Sequence, residues 1–160
     1  MKELVFMRHG AAQAALEPGA RGDAGRKLSP EGKAQIEASS RRLKELGFSP
    51  GVIISSPLLR AVETADIAAA LFPAARRVQE PALASSAQLQ GILKAIDSHA
   101  AGNSFVLVIG HQPTLGLLSG LLLRTAGPHF TTGSFACLKL TGEPGSGKAE
   151  LADFFSPETF

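Results

Sequence analysis

Residues 104–109, Ser104-Phe105-Val106-Leu107-Val108-Ile109, form the longest unbroken apolar run that ends on a glycine and a histidine, Gly110-His111. A short run that is apolar at every position, not at alternate ones, suits a strand covered on both faces. Both faces are covered when helices cross over between parallel strands. Two shorter runs of the same kind lie upstream, at residues 3–8 and at Gly51-Val52-Ile53-Ile54-Ser55. Segments long enough for helices separate them. This alternation predicts an α/β fold, a three-layer sandwich with a mostly parallel central sheet flanked by helices.

The connecting segments carry their own punctuation. Ser29-Pro30-Glu31 is a helix start, with a capping hydroxyl, a proline suited to the first turn and an acid at the positive end of the dipole. That helix should run to about Leu46 and stop at Gly47, with Ile36, Leu43 and Leu46 near one face. Ser56-Pro57 opens a second helix from about Leu58 to Phe72, with Val62, Ala65, Ala69 and Phe72 on one face and Pro73 at its end. Arg77-Val78 reads as a short strand, Ser86 to His99 as a third helix and Thr114 to Arg124 as a fourth. Residues 11–28 hold three glycines and little periodicity, so they read as a loop. Strands near 134–141 and 149–155, on either side of a turn-rich stretch from Gly142 to Gly147, read as a C-terminal hairpin. With 160 residues, no repeats and no linker, the chain reads as one domain spanning 1–160.

Composition narrows the function classes. A net charge of +2 gives no case for nucleic acid. The single cysteine, Cys137, excludes an internal disulfide and a cysteine-rich metal site, and its strand-like surroundings read as those of a buried, inert thiol. The apolar stretch from Leu115 to Leu123 is interrupted by Gly116, Ser119 and Gly120 and is about half a membrane span. Four apolar residues before Arg8 are too few for a secretory signal. The expectation is a cytoplasmic protein with no membrane partner.

Two of the strands end in a histidine beside a glycine, Arg8-His9-Gly10 and Gly110-His111. A third leads through Ser56-Pro57 to Arg60, about one turn into the next helix. In open α/β sheets ligands gather at the carboxyl ends of the strands. If these strands are parallel neighbours, Arg8, His9, Arg60 and His111 converge on one pocket. Gly10 would let the backbone turn sharply and a ligand approach. Two arginines and two histidines with few acids nearby suit a tetrahedral oxyanion, because guanidinium forks match phosphate oxygens. No carboxylate or cysteine joins the histidines at metal-ligand spacing, so no metal and no cofactor is expected.

Together Arg8-His9-Gly10, Ser56-Pro57-x-x-Arg60-Ala61-x-x-Thr64-Ala65 and Gly110-His111-x-Pro113 resemble the histidine phosphatase superfamily. The short length, Arg26-x-Leu28-Ser29-x-x-Gly32 and Phe130-Thr131-Thr132 are similar to its small bacterial SixA-type branch. The resemblance implies that His9 is the nucleophile and carries a covalent phosphoryl group. It implies that Arg8, Arg60 and His111 hold the phosphate oxygens, with Arg26 as a further phosphate ligand; Arg21 competes with Arg26 for that place.

Where the family often has acids, this chain has Ala11 and Ala82; Glu80 is the nearest substitute for a general acid. Loss of the acid harms an alkoxide leaving group more than an imidazole one, which favours phosphohistidine over a phosphate ester. The short stretch from Phe72 to Ser86 leaves no insertion to close over a small substrate. The implied substrate is therefore phosphohistidine on a protein, such as a histidine-phosphotransfer domain. The alternatives are a broad small-molecule phosphomonoesterase and a catalytically weak phosphoprotein-binding module. Three other features have plainer readings. Gly142 to Lys148 spells most of a P-loop, but Ala149 lacks the hydroxyl that motif needs. His129 reads as a loop residue, and His99 as a helix-end histidine.

Overall fold

The computed structural model describes residues 1–14, 22–85, 87–142 and 148–157. Six strands form one sheet: β1 (Glu3–Arg8), β2 (Val52–Ser55), β3 (Arg76–Gln79), β4 (Phe105–Gly110), β5 (Phe135–Leu140) and β6 (Ala149–Phe155). Their order across the sheet is β3-β2-β4-β1-β5-β6. The β1–β4, β2–β4 and β2–β3 pairs are parallel; β5 runs antiparallel to β1, and β6 antiparallel to β5. The sheet is mostly parallel with an antiparallel C-terminal pair, as the alternation of runs predicts.

Helices α1 (Pro30–Glu45) and α2 (Leu59–Leu71) cover one face, and α3 (Leu89–Ala100) and α4 (Thr114–Leu123) the other. The strands serve both layers because successive side chains point to opposite faces. Val5, Met7, Ile53, Leu107 and Ile109 pack with Ile36 and Leu43 of α1 and Ala61, Ala65 and Ala68 of α2. Leu4, Phe6, Ile54, Val106 and Val108 pack with Ile92 and Ile96 of α3 and Leu115, Leu118 and Leu122 of α4. This two-sided burial is why these runs lack any polar alternation.

The Ser29 side chain caps α1 by accepting from Gly32 N at 3.0 Å, and Pro30 occupies the first turn. Gly47 comes after the helix with φ 81°, a left-handed position that glycine takes without a Cβ penalty. Some finer expectations are corrected. Leu46 is the C-cap and is 41% exposed, so it does not share the buried face of Ile36 and Leu43. The inner face of α2 is centred on Ala61, Ala65 and Ala68, one position away from the expected Val62 and Ala69. The loop before α1 is also less irregular than expected: Asp23–Gly25 form one 3-10 turn, and Ala12 bridges to Leu28. Most of the P-loop-like stretch lies outside the described residues. The next element along the chain is β6, a strand and not the helix that a P-loop requires.

Candidate active site

Strand register brings the selected residues together. Arg8 pairs with Gly110 across β1–β4, and Ser55 with Ile109 across β2–β4. His9 and His111 therefore stand side by side, one residue beyond paired positions, with ring centroids 5.1 Å apart. Arg60 joins them from the first turn of α2, and Arg26 from the segment before α1. These five residues line a pocket of about 330 Å³ together with Ala11, Ala12, Gln112 and Thr132.

The backbone around His9 is held from several sides. His9 N donates to Gly110 O at 3.1 Å, and Gly133 N donates to the carbonyls of both Arg8 and His9. Gly10 N donates to Thr64 Oγ1, whose hydroxyl donates to Arg60 O at 2.7 Å. One buried threonine thus ties the β1 loop to the turn that carries Arg60. Helix α1 by itself requires glycine at position 10. A Cβ there would lie 2.6 Å from Gly32 O, and one at Gly32 would strike the Ala11 carbonyl.

His9 is 7% exposed, and its Nδ1 lies 2.7 Å from Gly10 O. A carbonyl only accepts, so Nδ1 carries the proton and Nε2 the lone pair. Arg60 Nε points its N–H at that lone pair from 3.4 Å. Burial, reinforced by His111, Arg60 and Arg8, pushes the imidazole pKa down to about 3, although the Gly10 carbonyl opposes this. Near pH 7 His9 is neutral, with its Nε2 lone pair turned towards a cation. Such a group is a competent nucleophile towards an anion that the cation holds.

The guanidinium groups have few protein acceptors. Arg8 Nη1 donates to Phe130 O at 3.0 Å, while its buried Nε has no partner. Burial and the neighbouring Arg60 push the Arg8 pKa down. Arg60 donates through Nη1 to Asp23 O at 2.9 Å and through Nη2 to Asp23 Oδ2 at 3.3 Å. Arg26 donates through Nε to Gln13 O at 2.8 Å and through Nη1 to Asp23 Oδ1 at 3.2 Å. Asp23 is thus a carboxylate shared by two pocket arginines. It sits in an exposed position, and the hydrogen bond from Arg26, with Arg60 beside it, holds its pKa below the usual carboxylate range. Sequence reasoning missed Asp23, although the i,i+3 spacing of Asp23 and Arg26 was a usable signal.

His111 Nε2 lies 2.7 Å from the hydroxyl of Ser56, which is fully buried. Its buried Nδ1 has no hydrogen-bond partner. Burial, with Arg60 next in weight, pushes its pKa down to about 4, so it too is neutral near pH 7.

Glu80 is not brought to this pocket. Its carboxylate accepts from Ala82 N at 2.7 Å and stands 3.1 Å from His99 Nε2. The expectation that Glu80 supplies the acid is corrected for that reason: the side chain caps a 3-10 turn (Pro81–Ala84) and pairs with the last turn of α3. His129 is exposed and does not line the pocket. Arg21 lies outside the described residues. Cys137 is buried in β5, and burial pushes its thiol up to about 12, so it is inert. Among the described residues no group of three His, Cys, Asp or Glu is placed to hold a metal, and no helix is long and apolar enough to cross a membrane.

Comparison with known proteins adds to this geometry. An uncharacterised protein of Picosynechococcus sp. is 35% identical over 115 residues, covering 71% of this chain and 68% of that protein. The solved structure of the protein histidine phosphatase SixA complexed with tungstate superposes with a TM-score of 0.84. It is 26% identical and covers 97% of each chain. Phosphoserine phosphatase from Entamoeba histolytica, solved with 3-phosphoglyceric acid, shares the fold at a TM-score of 0.71 over 99% of each chain, with 15% identity. The family pattern of the histidine phosphatase superfamily (branch 1) matches residues 4–84, from β1 through the turn after β3. The chain belongs to the histidine phosphatase superfamily and is SixA-like in structure.

Proposed function

We propose that this protein is a phosphohistidine phosphatase, which removes the phosphoryl group from histidine on a protein substrate through a covalent intermediate on His9. The observation that carries this reading is the His9 imidazole. It is neutral, its Nδ1 proton is committed to Gly10 O, and its Nε2 lone pair faces Arg60. The SixA structure that this chain resembles holds tungstate, a tetrahedral oxyanion of the shape of phosphate.

The chemistry proceeds in two displacements. Arg8, Arg60, Arg26 and His111 hold the equatorial oxygens of the phosphoryl group, and this positioning is most of what phosphoryl transfer requires. His9 Nε2 attacks phosphorus as the bond from phosphorus to the substrate nitrogen breaks; the substrate ring, protonated by solvent on its other nitrogen, keeps that electron pair and departs as neutral imidazole. Water then attacks phospho-His9 and gives up a proton to solvent, and His9 leaves with the electron pair as the neutral imidazole it was at the start.

Among the described residues no carboxylic acid lines the pocket, and this lack of a proton donor selects the leaving group. Asp23 is held ionised by Arg26 and Arg60, and Glu80 is engaged with His99. A positioned acid contributes roughly 10²–10⁴-fold where an alkoxide must leave. Imidazole departs with less help, so the site favours a P–N bond over a P–O bond. Among the described residues only the 3-10 turn at Pro81–Ala84 intervenes between β3 and α3, which fits a substrate presented on a protein surface.

The test compares release of phosphate from a phosphohistidine-bearing phosphotransfer domain with release from small phosphomonoesters at equal concentration. The expected preference is at least ~100-fold for the phosphohistidine protein. Rapid cleavage of the small esters with the phosphohistidine protein left untouched overturns the assignment.

A further inference from the structure

Ser56 belongs to no step of the chemistry above, yet its hydroxyl is fully buried and touches His111, a residue of the pocket. A serine hydroxyl offers one proton and two lone pairs. Leu58 N donates to Ser56 Oγ at 3.2 Å and takes one lone pair. His111 Nε2, at 2.7 Å, is the other partner, so the question is which of the two atoms donates.

Proton counting decides it. If Nε2–H donated to Ser56, the serine proton would be left without an acceptor at a fully buried position, and His111 Nδ1 would be a bare lone pair with no donor. Two buried polar groups would then be orphaned. If Ser56 donates to Nε2, its proton has an acceptor and its oxygen has a donor, and a single orphan remains, the Nδ1–H of His111. Buried orphans cost free energy, so the arrangement with one is favoured over that with two. The surviving orphan is a donor on a ring that lines the anion pocket, and a phosphate oxygen that reached it would supply the missing acceptor. The opposite tautomer would present a lone pair to that oxygen.

We infer that Ser56 is a positioning residue that fixes the tautomer of His111, so that Nδ1 carries the proton offered to the substrate phosphoryl group. This rests on the reading of His111 as a phosphate ligand. The two histidines of the pocket are then set by neighbours of opposite kind. A carbonyl acceptor beside His9 Nδ1 frees its Nε2 to attack, and a hydroxyl donor beside His111 Nε2 leaves its Nδ1 to donate. Because His111 is neutral near pH 7, its one proton has to be placed by a partner.

The tautomer is read directly by nitrogen NMR of protein labelled with 15N-histidine, without substrate, near pH 7. The expected spectrum shows a pyrrole-like His111 Nδ1 and a pyridine-like Nε2. Ser56→Ala should mix the two forms and Ser56→Thr, which keeps the hydroxyl, should restore the wild-type pattern. Binding of inorganic phosphate should weaken about 2- to 5-fold in Ser56→Ala, in proportion to the share of His111 left in the competent tautomer. In a His111→Ala background the same change should cost nothing further. A wild-type spectrum with the proton on Nε2, phosphate affinity unchanged in Ser56→Ala, or an equal loss with and without His111 each overturns the inference. The NMR readout needs no turnover, so a failure of the phosphohistidine assignment is seen separately in the substrate comparison.

Discussion

The neutral state of His9 has a thermodynamic consequence that is open to measurement without any substrate. Its pKa is about 3 in the folded chain against an ordinary value of 6.5. Between those values the unfolded chain binds a proton that the folded chain does not, so stability falls as pH falls through that window and is unaffected above it. At about pH 4.5 the unfolded imidazole is almost fully protonated while folded His9 is almost fully neutral. Two units at 1.36 kcal/mol each give a penalty of about 3 kcal/mol at that pH, and none near pH 7. Other groups titrate in the same range, His111 among them, so the informative quantity is a difference between proteins. His9→Asn removes the titration while keeping a polar side chain of similar reach. Urea unfolding of both proteins near pH 7 and pH 4.5 should show the wild type losing about 3 kcal/mol more than the variant. Equal losses would mean that burial does not depress the His9 pKa.

Other perturbations test separate parts of the account. Asp23→Asn should tighten inorganic phosphate binding about 2- to 5-fold by titration calorimetry, because an exposed carboxylate no longer competes for Arg60 and Arg26; weaker binding would mean that Asp23 instead holds the arginines in place. Gly32→Ala places a methyl group against the Ala11 carbonyl, and that collision, about 1–3 kcal/mol, should outweigh the ~1 kcal/mol an alanine ordinarily contributes within a helix. A raised melting temperature would contradict this. Glu80→Gln should leave turnover of a phosphohistidine protein within about 2-fold of wild type, whereas a loss of roughly 10²-fold or more would mark Glu80 as the acid after all.

Much of the fold was legible because the strands are buried on both faces. Residues 104–109 cannot be read as an amphipathic element, and a chain that repeats such runs between helix-length segments has few architectures open to it. The grouping of Arg8, His9, Arg60 and His111 came from the same logic, since all four lie at or just beyond the carboxyl ends of parallel strands. What escaped the sequence depends on contacts between segments far apart in the chain. Asp23 reaches Arg60 across 37 positions, and the partner that removes Glu80 from the pocket, His99, lies 19 residues on. Gly10 looked like a ligand-approach glycine, but its neighbour is Gly32 of α1, which no local pattern reveals. The link from Ser56 to His111 spans 55 residues and emerges only once β2 and β4 lie side by side.

The central claim is that phosphorus passes through His9, and trapping that intermediate tests it most directly. A phosphohistidine protein carrying labelled phosphate, mixed with the enzyme and quenched in alkali within its first turnover, should transfer label transiently to the enzyme. Peptide mapping should place that label on His9, and His9→Ala should neither take up label nor release phosphate. Release of phosphate that persists in His9→Ala, or label that never reaches the wild-type enzyme while turnover proceeds, would contradict the account.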